Sequence, residues 1–122
     1  MGKRVLVIED EANISEAIRF ILSRDGWEVE IHADGTEAEA VVAARQPSLV
    51  ILDVMLPGRS GFDILRSLRE AGSTSAVPVL MLTAKGQAAD RDLAARYGAT
   101  QFMTKPFANA DLLAAVRDLA LT

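Results

Sequence analysis

Cysteine is absent from the 122 residues, which removes disulfides, thiolate metal sites and thiol nucleophiles and leaves any chemistry to oxygen and nitrogen groups. Long hydrophobic runs are absent too. The first apolar run, Val5 to Ile8 after Lys3 and Arg4, is far too short for a signal peptide or a membrane span, so a cytoplasmic location with no membrane partner is expected. Positive charge is in deficit, with 13 Lys and Arg against 17 Asp and Glu and a net charge of -4. The bases are scattered, so direct nucleic-acid binding through clustered cations is not expected. Neither G-x-x-x-x-G-K-[ST] nor G-x-G-x-x-G follows the first apolar run, which argues against a nucleotide site. Linkers, internal repeats and low-complexity segments are also lacking. Half the residues are hydrophobic and a quarter charged, the composition of one folded domain spanning 1–122.

What is present is a repeating pattern. Val5 to Ile8, Leu49 to Leu52 and Val79 to Leu82 are continuously apolar, as parallel strands covered on both faces should be. Trp27 to Ile31 and Thr100 to Thr104 carry polar residues among the apolar ones and read as edge strands. Helical spacing fills the gaps, most clearly in Ile14, Ala17, Ile18, Ile21 and Leu22 and in Leu112, Val116, Leu119 and Ala120. Gly26, Gly72 and Gly98 follow helical patterns, Asp34 with Glu37 resembles a capping box, and Pro47 ends the second helix. Strand and helix therefore alternate five times. With right-handed crossovers and the weaker strands at the edges, the expected fold is α/β: a doubly wound five-stranded parallel sheet of order 2-1-3-4-5, flavodoxin-like, with five flanking helices.

Ligands of such sheets bind beyond the carboxyl ends of the strands, where the order reverses. Glu9 and Asp10 follow strand one, Asp53 ends strand three, Thr83 ends strand four and Lys105 follows strand five, so the five converge there. Three carboxylates in one crevice repel one another unless a cation offsets them. Mg2+, which takes one or two carboxylates, a carbonyl and a phosphate oxygen, suits the set, with Asp10 and Asp53 as first choices. A carboxylate beside a metal and a lysine is equipped to accept a phosphoryl group, because that reaction asks mainly for positioning and charge neutralisation.

Val5 to Asp10, Leu49 to Gly58 (LVILDVMLPG), Leu82 to Ala84 (LTA) and Thr104 to Phe107 (TKPF) resemble a response-regulator receiver domain of the chemotaxis type, used in two-component signalling. The resemblance spans nearly the whole chain. It implies that Asp53 is the phosphoacceptor, that Glu9, Asp10, Asp53 and the Met55 backbone carbonyl hold Mg2+, and that Thr83 is the switch hydroxyl. It further implies that Lys105 and the Ala84 amide bind phosphoryl oxygens, that Phe102 is the switch aromatic, and that a cis bond before Pro106 aims the lysine inward.

The donor would be a phosphohistidine on a histidine kinase or phosphotransfer protein, with acyl-phosphate hydrolysis resetting a signalling switch that is not an enzyme acting on others. Met55 and Lys85 would border the path of the attacking water. Output would pass to an unknown downstream protein or an effector domain, and the face of helix four, strand five and helix five could carry a phosphorylation-dependent dimer. The winged-helix members would have paired acids before the strand-five aromatic and a basic residue midway along helix five; Thr100, Gln101 and Ala115 stand there and leave that interface unsupported.

Each residue has a plainer reading. The acidic pair could cap a helix, Thr83 could end a strand, Lys105 could be an exposed lysine before a helix-starting proline, and Phe102 could be a packed edge aromatic. His32, the single histidine, reads as a surface residue next to the Asp34-Gly35 turn. Asp53 resists such a reading, since a carboxylate closing an apolar strand is poorly explained by solvation. An aspartyl phosphatase is the enzyme alternative, but that class carries a second Asp where Met55 stands. A flavin site and a receiver that acts only as a binding scaffold remain as further alternatives.

Overall fold

The computed structural model describes residues 3–84 and 88–120, and the side chain of Ala88 is not described. Five strands alternate with five helices: β1 (Lys3–Ile8), α1 (Ala12–Arg24), β2 (Trp27–His32), α2 (Ala38–Arg45), β3 (Leu49–Asp53), α3 (Gly61–Glu70), β4 (Val79–Ala84), α4 (Ala88–Tyr97), β5 (Gln101–Lys105) and α5 (Asn109–Ala120). All pairings are parallel and the sheet order is β2-β1-β3-β4-β5, the order expected from the apolar runs. Among the described residues no helix is long and apolar enough to cross a membrane.

Side chains alternate across a strand, so each central strand feeds two cores. Val5, Val7, Leu49, Ile51, Leu80 and Leu82 pack with α1 and α5, while Leu6, Ile8, Val50, Leu52, Val79 and Met81 pack with α2, α3 and α4. The alternation also sorts the residues at the strand ends. Glu9, Asp53 and Lys105 continue the α1/α5 series, whereas Thr83 and Phe102 continue the α4 series.

The Asp34–Glu37 capping box does not form. Glu37 is the N-cap of α2 but makes no side-chain cap bond, and Asp34 Oδ1 instead accepts the Thr36 amide at 2.6 Å. The short Asp side chain satisfies the nearest free amide within its own turn before the helix begins. At the other end, α2 closes through Gln46 in the left-handed conformation just before Pro47.

Gly61 fixes where β3 ends. A Cβ there would collide with the Asp53 carbonyl oxygen and lie 2.9 Å from Val54 Cα, and the Gly61 amide donates to Val54 O at 2.8 Å. The first residue of α3 is thus pressed against the backbone that carries Asp53. Gly61→Ala should cost about 3 kcal/mol, at the upper end of overpacking effects, because backbone rather than a pliable side chain must give way. Urea denaturation that shows a change within about 0.5 kcal/mol would contradict this tight approach.

Candidate functional site

The carboxyl ends of β1, β3, β4 and β5 open into a cleft of about 610 Å³ lined by Asp10, Asp53, Met55, Ala84, Lys105 and Phe107, among others. Its floor is charged. Glu9 and Asp53 are 1% and 2% exposed, and Lys105 Nζ lies 3.3 Å from both Glu9 Oε1 and Asp53 Oδ1. The strands deliver this geometry directly, since β3 ends on Asp53 and β5 on Lys105, with β1 running straight into Glu9.

A third partner of Lys105 was not anticipated. Glu11 Oε1 lies 3.0 Å from Nζ, and the Glu11 amide donates to Glu9 Oε2 at 3.0 Å. The Glu9-Asp10-Glu11 run carried the signal, but a helix-capping reading hides it. Glu11 is the N-cap of α1, yet its side chain makes no cap bond and turns to the lysine instead.

Among the described residues the charges do not balance: one lysine meets three carboxylates, two of them buried. Burial, aided by Asp53, pushes the Glu9 carboxyl up to about 7 despite the Glu11 amide and Lys105, which favour its charged form. Burial also raises Asp53, against the opposing pull of Lys105 and the Met55 amide, which donates to Oδ1 at 3.4 Å. The Lys105 ammonium is penalised by burial, but the Glu11, Asp53 and Glu9 carboxylates hold its pKa above the usual value.

The Glu9 shift fixes the sign of a pH effect. The folded state holds the proton more tightly than the unfolded chain, so this stabilisation is complete below about 4.5 and is lost as pH rises through about 7. In the absence of divalent cations, Glu9→Gln should erase a loss of about 2 kcal/mol between pH 5 and 7.5. Chemical denaturation at the two pH values checks it, and equal pH slopes for parent and variant would count against the shift.

Glu9, Asp10 and Asp53 each place a carboxylate oxygen within 4.8 Å of the others. Asp10 is exposed at the rim, so the three run from buried floor to solvent. An all-oxygen set with surplus negative charge fits a hard divalent cation, whose binding would relieve the repulsion that raises Glu9 and Asp53. Met55 borders the same space with its side chain largely exposed. The Lys105–Pro106 peptide bond is cis.

Thr83 and Phe102 lie on the other side of the sheet. The buried Thr83 hydroxyl donates to Asp90 Oδ2 in the first turn of α4 at 2.8 Å, and half-buried Phe102 packs against the core beneath α3 and α4. Ala84, the last residue of β4, pairs with Lys105 and is exposed in the cleft. Lys85, expected beside the water path, lies outside the described residues. His32 is half-buried rather than a plain surface residue, with Nε2 2.8 Å from Glu30 Oε2. Gly61 and Asp90 escaped sequence reasoning as well: neither belongs to a pattern at a strand end.

Residues 5–117 match the family described as response regulator receiver domain. The chain is 40% identical over 117 residues to the DNA-binding response regulator MtrA of Mycobacterium tuberculosis (strain ATCC 25618 / H37Rv), an alignment that covers 96% of this chain and 50% of MtrA. It thus spans about half the length of such curated relatives. Among solved structures it is similar to the chemotaxis response regulator CheY4 of Vibrio cholerae, with TM-score 0.90, 29% identity and coverage of 98% and 99%. It is also similar to the receiver domain of the sensor histidine kinase PA1611 of Pseudomonas aeruginosa PAO1, solved with a magnesium ion coordinated in its active-site cleft. There the TM-score is 0.91, the identity 25% and the coverage 100% of both chains.

Proposed function

Because the chain belongs to the response regulator receiver domain family of two-component signalling, we propose that Asp53 is its phosphoacceptor and that a partner phosphohistidine, on a histidine kinase or phosphotransfer protein, is the donor. The observation that carries the reading is the contact of Lys105 Nζ with a buried Asp53 carboxylate on the floor of an open cleft. An Asp53 oxygen attacks the phosphorus as the P–N bond to imidazole breaks, and the electron pair stays on the departing ring nitrogen. Lys105 neutralises a phosphoryl oxygen, and the Ala84 amide at the end of β4 donates to another.

Asp10, Asp53 and the Met55 carbonyl, with Glu9 behind them, would hold Mg2+, which would supply charge neutralisation for the phosphoryl group. The exposed Met55 side chain and the apolar walls from Ile14 and Phe107 form the mouth through which a donor imidazole reaches Asp53. Water attacking the acyl phosphate returns the Asp53 carboxylate and releases inorganic phosphate. We place the protein in the cytoplasm. Its output, through the face of α4, β5 and α5, goes to an effector domain or a separate protein. Phosphorylation draws the Thr83 hydroxyl toward Asp53 and Phe102 follows.

Incubating the protein with acetyl phosphate and Mg2+ should add the mass of one phosphoryl group, and chelating the metal should prevent it. An unchanged intact mass under saturating donor and metal would refute the reading.

A further inference from the structure

Thr83 and Phe102 are both held by one helical turn. Asp90 Oδ2 accepts the Thr83 hydroxyl at 2.8 Å, and the Arg91 guanidinium lies 5.1 Å from the centroid of the Phe102 ring. The two holding residues are consecutive in α4, and the two held residues lie on the face of the sheet that α4 covers. Asp53, Glu9 and Lys105 end the opposite series, so anything that happens at Asp53 must reach across the sheet to move either one.

A hydroxyl has a single proton to donate. While Thr83, 1% exposed, gives it to a carboxylate, an oxygen on Asp53 can receive it only by displacing Asp90. Bonds to an ionised acceptor are the stronger kind, and the carboxylate is itself favoured in the first turn of a helix. The contact with Arg91 adds a second restraint, since Phe102 cannot swing without leaving the cation on its face.

We propose that Asp90 and Arg91 form a latch on the resting state, Asp90 positioning the Thr83 hydroxyl and Arg91 positioning the Phe102 ring. The proposal rests on Asp53 being the phosphoacceptor. Phosphorylation then works against both contacts, and the latch sets how much of the unphosphorylated protein already has the switched arrangement. A ligand shifts such an equilibrium only by its differential affinity, so weakening the latch must tighten binding of any phosphoryl mimic by the same factor.

The test is an NMR titration of the intact chain with beryllofluoride and Mg2+. Asp90→Ala should bind the mimic roughly tenfold more tightly, the equivalent of one charge-assisted hydrogen bond of about 1.4 kcal/mol. Before any titrant is added, its Thr83 methyl and Phe102 ring resonances should already sit partway to those of the saturated parent. Asp90→Asn, whose amide oxygen still accepts, should lie nearer the parent. Arg91→Gln should move the Phe102 resonances and leave those of Thr83 in place.

A purely structural role for Asp90 in starting α4 predicts otherwise: its loss would change affinity equally in a Thr83→Val background, where the latch predicts no further effect. Persistence of the gain in that background, or unmoved resonances in Asp90→Ala, would overturn the proposal. If the parent binds no beryllofluoride, the phosphoacceptor reading fails instead, and the latch is then decided by whether the Thr83 and Phe102 resonances of Asp90→Ala depart from those of the unliganded parent.

Discussion

Asp53→Ala should take up no phosphoryl group from acetyl phosphate and magnesium, its intact mass unchanged where the parent gains one. The neighbouring carboxylates are poor substitutes. Glu9 is buried and accepts the Glu11 amide, and burial disfavours the charged form that would act as nucleophile. Asp10 is exposed and has no resolved contact with Lys105, so a phosphoryl group there would lack its counter-charge. The same substitution should raise the thermal unfolding midpoint of the metal-free protein. Burial works against the Asp53 carboxylate beside a second buried acid, and removing it leaves Lys105 with Glu9 and Glu11 as partners. Labelling of Asp53→Ala at the parental level would move the acceptor to another side chain and sink the assignment.

Lys105→Met should have the opposite effect on stability together with a large loss of reactivity. It removes the one cation that, among the described residues, meets Glu9, Asp53 and Glu11, and stripping one partner from a buried ionic cluster costs about 3 kcal/mol. The penalty should be largest at pH 7.5 and shrink toward pH 5, where Glu9 takes up its proton and the unpaired charge falls from the cluster. Magnesium should restore part of the stability by supplying charge to the same oxygens. Phosphorylation by acetyl phosphate should slow by about 100-fold, the loss typical of one aimed donor, because metal cannot replace the ammonium's direction of approach. Urea denaturation at two pH values with and without magnesium separates the effects. A penalty that is equal at both pH values would show that Lys105 stabilises by packing of its stem rather than by charge.

The sheet order was legible because the three central strands are buried on both faces and so cannot alternate, while β2 and β5 keep polar residues that only an edge accommodates. Strand order then brought Glu9, Asp10, Asp53, Thr83 and Lys105 to one end without further information. Their division between two faces follows from the period of two, but the division becomes meaningful only once Asp90 is seen to accept from Thr83. That bond ties β4 to α4 through residues seven apart in the chain, and neither hydropathy nor spacing marks it. Glu11 was hidden for a different reason: an acidic residue before a helix has a capping explanation at hand, and the choice between amide and ammonium is made in three dimensions. Gly61 was missed because what it excludes, a methyl group against the Asp53 carbonyl, leaves no trace in a pattern of apolar residues.

The single tryptophan opens β2, paired with Lys3 at the start of β1, whereas the acidic cleft lies beyond the far ends of the same strands. Five residues of strand put it about 17 Å from the chemistry. Its emission is therefore an honest reporter of whether the domain is folded and a nearly blind one for cation or acyl-phosphate chemistry. A fluorimeter that sees no change on adding metal is watching the wrong end of the sheet.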